Sequence, residues 1–439
     1  AINFLVFMGF HSGVSVFIAD LVGKAGDLLL SLALYIFIGM LLKESRIPQL
    51  ALNIIRPWKM SSELLCFIVL LIAAVPTAYT GASGIFIIAA GAIIFEEIRM
   101  ANTRGQLALA TTAMSGSMGV VLKPCLLIVI IASLNDEVTT NELFTTGAYV
   151  FLISAFLFFV ITQLTRQEPI SIAPVSEAFP KSLAALIPLL PYVIITAGVI
   201  LLYSYVFDQN FDEFSAPIIL PIVMLTILFY EKVFSNDVSD AMDSELNTNF
   251  DSIHDEVDSH LSAKTTEQAY RFASTETTNH IGALLFLMFF TAALGGLIEH
   301  SDLINSFPSD FNSFWGMLGI VVVTLVVIGM FMEPYGAVIL VNAVIAPVAF
   351  ANGINPLHFW LITLVAFELG YLSPPVALNH LLTRHVIGEE NAAIARAEPL
   401  PRDNFWFRYE RFLLPIVVMG LSLILVAFVP PLVGYDLFF

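Results

Sequence analysis

Charge is scarce in this chain. Asp, Glu, Lys and Arg together make up 12% of its 439 residues, against about 25% in a soluble domain. That shortage excludes an ordinary soluble enzyme or a basic nucleic-acid binder, the more so because the net charge is −18. Cysteine is nearly absent as well: Cys66 and Cys125 both lie inside apolar runs, read as packing residues, and imply no disulfide framework. No H-E-x-x-H, no G-x-G-D and no phosphate-binding G-x-x-x-x-G-K-[ST] occurs, which removes metalloprotease, aspartyl-protease and ATP-driven chemistries. The first apolar run has no basic stretch ahead of it, so no signal peptide is expected, and the start at Ala1 is compatible with residues upstream.

What is present is apolar surface. Hydrophobic residues make up 58%, Phe alone occurs 37 times, and the mean hydropathy is +0.87. Apolar runs near the roughly 20 residues that span hydrocarbon recur along the chain, so helices are expected and not a barrel of shorter alternating strands. The fold class that follows is an all-α polytopic membrane protein.

Much of the negative charge sits in one place. Between Ser235 and His280 ten acids stand against Lys264 and Arg271. The segment has no sustained apolar stripe and reads as a solvated linker, with room for a short helix, between two halves.

Lys and Arg in short loops favour the cytoplasmic side, and this rule orders the spans. Lys43, Arg46, Arg56 and Lys59 place 43–60 inside. Leu64–Tyr79 enters from there, meets a small-residue tip at Thr80–Gly84, and returns through Ile85–Phe95 to Arg99 and Arg104, with Glu96, Glu97 and Arg99 as interface anchors. From Leu107 the chain passes a second break, Ser115–Gly119, and emerges outside at Asn135–Glu142, where basic residues are lacking. Three further spans (Phe144–Thr162, Leu183–Phe207, Ile218–Tyr230) lead to the cytoplasmic linker, and Ile281–Leu297 crosses outward. A second hairpin, Phe314–Phe350 around Glu333–Gly336, therefore opens from the outside. Leu357–Leu382 passes a break at Glu368–Pro375 toward Arg384–Arg411, and Phe412–Val433 is the last span. Gly84 and Gly119 lie 35 residues apart, Gly336 and Gly370 34 apart. Two hairpins and two broken helices in the same order but entered from opposite faces make an inverted-topology repeat, the pattern of a secondary transporter.

The expected division is 1–60 scaffold and amphipathic segment, 61–134 first transport half, 135–234 scaffold, 235–280 linker, 281–313 scaffold, 314–383 second transport half, and 384–439 basic segment and last scaffold helix.

Backbone leaves a helix at membrane depth only where protein or a cavity satisfies its polar groups. Unwound carbonyls and hydroxyls suit a sodium ion, and half-helix N-termini suit an anion. Thr80, Gly81, Ser83, Ser115, Ser117 and Gly119 form one expected ion site, and Glu333, Gly336, Gly370 and Ser373 its mate. The competing reading is that such small residues simply let helices pack closely. Lys123, past the first break, cannot easily snorkel and is expected to meet a substrate carboxylate or to pair with Glu368. Ser83, Asn342, Ser373 and Asn379 complete the candidate substrate contacts, the two amides also serving as inter-helix bridges. His380 reads as a satisfied interior histidine. One enzyme reading has a foothold: Gly81-Ala82-Ser83-Gly84 spells the G-x-S-G of intramembrane serine proteases, with Ser83 as nucleophile and His380 as its base.

Phe331-Met332-Glu333-Pro334, Gly353-Ile354-Asn355-Pro356-Leu357-His358-Phe359 and Glu368-Leu369-Gly370-Tyr371-Leu372-Ser373-Pro374-Pro375-Val376-Ala377-Leu378-Asn379 resemble the large membrane subunit of the tripartite ATP-independent periplasmic (TRAP) transporters. The likeness covers most of the chain after about Leu28. It implies an elevator mechanism, sodium as the coupling ion with no other cofactor, and an organic-acid substrate such as a C4-dicarboxylate or sialic acid. It further implies a small four-helix membrane partner, a periplasmic substrate-binding protein, and a place in the bacterial inner membrane. The chain departs from the pattern at Lys123-Pro124-Cys125, where a double proline is usual, and at the first tip, T-G-A-S-G in place of S-G-S. A stand-alone ion-coupled antiporter is the alternative transporter reading.

Overall fold

A computed structural model describes residues 30, 33–42, 44–81, 83–135, 137–167, 169–208, 215–234, 266–279, 281–282, 313–332, 334–399 and 404–434. Among these residues the secondary structure is entirely helical. Six helices among the described residues are long and apolar enough to cross a membrane, or seven when Gly105–Val121 and Leu126–Leu134, bent by 42° at their junction, count as one span.

Helix starts follow from capping chemistry. Thr139 and Glu142 form a reciprocal capping box at Thr140–Leu164. Ser313, Asn355 and Asn404 each accept a backbone N–H three residues on, opening Phe314–Phe331, Pro356–Leu372 and Phe405–Val433. The last helix thus begins at Phe405, seven residues before the apolar run, because Asn404 caps a first turn that kinks at Tyr409 (φ -117, ψ 16) before the run continues.

The first hairpin is Ser62–Thr80 and Ser83–Met100; the second is Phe314–Phe331 and Pro334–Ala351. The first broken helix is Gly105–Met114, a 3-10 turn at Met118–Val121, and Leu126–Leu134. The second is Pro356–Leu372 and Leu378–Ile387. Their packing is reciprocal: the return arm of the first hairpin lies against Leu378–Ile387, and that of the second against Leu126–Leu134. Each hairpin is thereby held by the far segment of the other half's broken helix.

Pro356–Leu372 runs through the core, with Phe359, Trp360, Phe367 and Tyr371 fully buried. Thr140–Leu164 and Phe405–Val433 flank it and also meet each other. His358 Nε2 lies 2.8 Å from the Val426 carbonyl, tying core to last helix. By contrast Val175–Phe207 buries only 6% of its most apolar window; its outer face is what a bilayer or a membrane partner would cover.

One charged cluster is buried at the base. Arg104 donates to both oxygens of Glu410 (2.7 and 2.6 Å) and to Glu63 (2.6 Å), joining the first broken helix to the first hairpin and the last helix. Burial alone would lower the Arg104 pKa, but the two carboxylates outweigh it and hold the guanidinium above its ordinary value. Nearby, Glu97 pairs with Arg56, and Arg99 donates to Glu398 at 2.8 Å. Within the acidic segment the described helix spans 266–279, and it is not merely solvated: Ala269 and Ala273 are buried, and Tyr270 Oη donates to the Leu225 carbonyl at 2.8 Å. The rest of the segment, and the expected span Ile281–Leu297 beyond 282, lie outside the described residues.

Candidate functional site

Ser62–Thr80 ends because Gly81 takes a left-handed conformation (φ +64), its N–H capping the Thr77 carbonyl at 3.0 Å. A side chain at Gly81 would stand 3.1 Å from the Leu126 amide, so the tip rests on the start of Leu126–Leu134. The backbones close further at the break. A Cβ on Gly116 would come within 2.2 Å of the Ser83 carbonyl oxygen, and one on Gly119 within 2.2 Å of that of Ala74. Thr77 Oγ1 is placed to donate to the carbonyls of Ala73 (2.7 Å) and Ser115 (3.1 Å), bridging hairpin and break.

The second break repeats this close approach. A Cβ on Gly370 would lie 2.6 Å from Gly329 C and 2.8 Å from the Val326 oxygen, on its own hairpin's outgoing arm. Ala377 is left-handed (φ 48), and the Lys123-Pro124 and Pro374-Pro375 peptides are both cis.

The breaks converge on one buried polar chain. Ser83 Oγ donates to Asn379 Oδ1 at 3.3 Å, and Asn379 Nδ2 donates to Ser117 Oγ at 3.1 Å. All three residues are at most 2% exposed. They come from the first tip, the second broken helix and the first break, so two halves 262 residues apart share one cluster. Beside it the Glu368 carboxyl faces Ser117 and Ser83.

Other expected site residues lie elsewhere. Ser115 Oγ turns back to the Thr112 carbonyl (2.8 Å) and Ser373 Oγ to that of Leu369 (2.7 Å), each occupied within its own helix. Gly336 is buried at the start of the second return arm. Asn342 is an inter-helix bridge at the far end of Leu126–Leu134, donating to the Leu134 carbonyl at 3.2 Å. Lys123 is exposed at the first break and does not pair with Glu368, which is buried. The side chain of Thr80, and Glu333, lie outside the described residues. A Ser83–His380 dyad is not formed: Ser83 bonds Asn379, while the His380 ring stacks edge-on to Phe412 with Nε2 buried and unbonded. Thr77, one residue after Pro76 within an apolar run, carries no sequence mark of its bridging role, and Glu368 is marked in sequence only as a counter-charge to Lys123. A lone carboxylate two residues before a glycine in an apolar run is the signal that marks the latter.

The model of the family "Tripartite ATP-independent periplasmic transporter, DctM component" matches residues 67–432. A C4-dicarboxylate TRAP transporter large permease protein DctM of Vibrio cholerae is 24% identical over 80% of this chain and 73% of its own length. The protein of that name from Pseudomonas aeruginosa is 31% identical over 26% of this chain, a match spanning 29% of its own length. An isethionate TRAP transporter permease protein DctMQ of Oleidesulfovibrio alaskensis is 28% identical over 24% of the chain and 14% of its own length.

Proposed function

The chain belongs to the tripartite ATP-independent periplasmic transporter family, as its DctM component, and from that premise we propose that it imports a small organic acid anion with sodium by an elevator movement. Membership in a transporter family sets the serine-protease reading aside. The relatives named above carry C4-dicarboxylates or isethionate by their names, which supports an anionic substrate bearing carboxylate or sulfonate.

The observation that carries the proposal is the meeting of both halves at Ser83, Asn379 and Ser117. Buried hydroxyls, an amide oxygen and unwound carbonyls are the ligands a sodium ion needs, with the backbone at Gly81, Ser115 and Gly119 contributing in the first half and that at Gly370 and Ser373 in the second. Four helix segments, at Ser83, Leu126, Pro334 and Leu378, begin at the tips and breaks, and their N-terminal amides offer partial positive charge to an anion. Lys123, exposed at the first break, adds a full charge for a substrate carboxylate.

In this reading hairpins and broken helices form the moving body and the remaining spans the scaffold, in a bacterial inner membrane. The inverted order of the halves lets the site face either side. A small four-helix membrane subunit and a periplasmic binding protein complete the system. The test is uptake of labelled dicarboxylate into proteoliposomes holding both membrane subunits, with binding protein added outside. Uptake that depends on an inward sodium gradient and on the binding protein supports the proposal. Equal uptake without the gradient defeats the coupling, and full uptake without the binding protein favours a stand-alone antiporter.

A further inference from the structure

Glu368 lies within the most buried helix of the chain, at 3% exposure, and its Oε2 has no hydrogen-bond partner. Its carboxyl faces Ser117 and Ser83. The protons at hand do not satisfy it. Ser83 has one hydroxyl proton to share between Asn379 Oδ1 and the carboxyl, and Asn379 gives an amide proton to Ser117 Oγ. That leaves at most the two serine protons for a group with about four acceptor sites, and Oε2 stays without a partner. Among the described residues no ion pair includes Glu368, and Lys123 stands exposed away from it. A buried carboxylate without a positive partner is costly, so this position is met either by a proton on the carboxyl or by a bound cation.

We propose that Glu368 is a ligand of the coupling cation, and that with Ser83, Ser117 and Asn379 it forms a single sodium site shared by the two halves. The inference rests on the sodium-coupled reading above and adds to it a charged ligand from the second half. Four side chains then converge from four segments: the first hairpin tip, the first break, and the two segments of the second broken helix. A cation there neutralises the carboxylate and draws the halves together, so binding is felt as stabilisation of the whole body and not only as transport.

The test uses the membrane subunit with its small partner, purified in detergent, unfolded by heat across a range of NaCl with choline chloride holding ionic strength. Sodium is expected to stabilise the wild type, Glu368→Gln to raise the half-saturating sodium concentration about tenfold or more, and Glu368→Asp to fall between. Glutamine has the size of a protonated glutamate, so a carboxyl that merely sits neutral in the core predicts equal sodium stabilisation of wild type and Glu368→Gln; that result overturns the proposal. A wild type with no sodium response overturns the sodium reading itself.

Discussion

The two breaks stand at corresponding places in the chain and are built alike in backbone but opposite in charge. Ser117 and Glu368, Gly119 and Gly370, and Lys123 and Pro374 are each separated by 251 residues. The glycines agree because packing demands them: each break presses on its own hairpin's outgoing arm, at Ala74 in one half and at Val326 and Gly329 in the other. The side chains differ because the chemistry is not symmetric. The first break offers a hydroxyl inward and an ammonium outward; the second offers a buried carboxylate and a proline. Residues that the halves share therefore report on folding, and residues that they do not share report on what is bound.

The sharpest way to break this comparison is at the buried ion cluster around Arg104, which ties the first half to the last helix. Arg104→Ala should leave Glu63 and Glu410 buried without a partner and cost about 3–5 kcal/mol, read as a large loss of folded protein in thermal unfolding, whereas Arg104→Lys should recover part of it. Gly119→Ala and Gly370→Ala come next: both place a methyl within 3 Å of backbone and should each destabilise by about 1–3 kcal/mol or more, while Gly198→Ala, with open space around it, should not. If one break glycine tolerates alanine and the other does not, the structural likeness of the halves fails.

Smaller effects separate chemistry from packing. Ser117→Ala and Asn379→Ala should each weaken sodium activation of uptake by about tenfold, the worth of one lost hydrogen bond to a charged site. Lys123→Ala should leave thermal stability within about 0.5 kcal/mol, as befits an exposed side chain, yet raise the apparent KM for the anion severalfold; an unchanged KM would remove Lys123 from the substrate path. The membrane sidedness assigned to the halves has its own check, since Ser244→Cys should react with an impermeant thiol reagent only from the cytoplasm and Glu137→Cys only from outside.

Several elements could be read before any coordinates. The tip at Gly81 and the breaks near Gly119 and Gly370 are local events, set by residues a few positions apart, whereas the Asn404 cap stands ahead of the apolar run and is not marked by it. The helix at 266–279 was less legible because the hydrophobic residues it buries, Ala269 and Ala273, are small. The site was half legible. Ser83, Ser117 and Asn379 were singled out, but Ser115 and Ser373 looked equivalent to them, and only the direction of a hydroxyl distinguishes the two kinds: toward its own helix or toward another element. Asn342 and Asn379, both amides in apolar runs, parted in the same way, one bridging helix ends and the other sitting between the halves.

By itself the sequence determined that the chain is a helical membrane protein, where its helices stop, and that two hairpins and two broken helices recur in the same order. Composition and short-range patterning suffice for these, because hydrocarbon tolerates few structures and glycine or asparagine acts within a turn. Only the tertiary structure decided which polar side chains meet. Ser117 and Asn379 are 262 residues apart, and no local rule brings them to 3.1 Å. That contact exists because each hairpin packs on the other half's broken helix, and the same packing leaves Glu368 buried beside hydroxyls while Lys123 faces out.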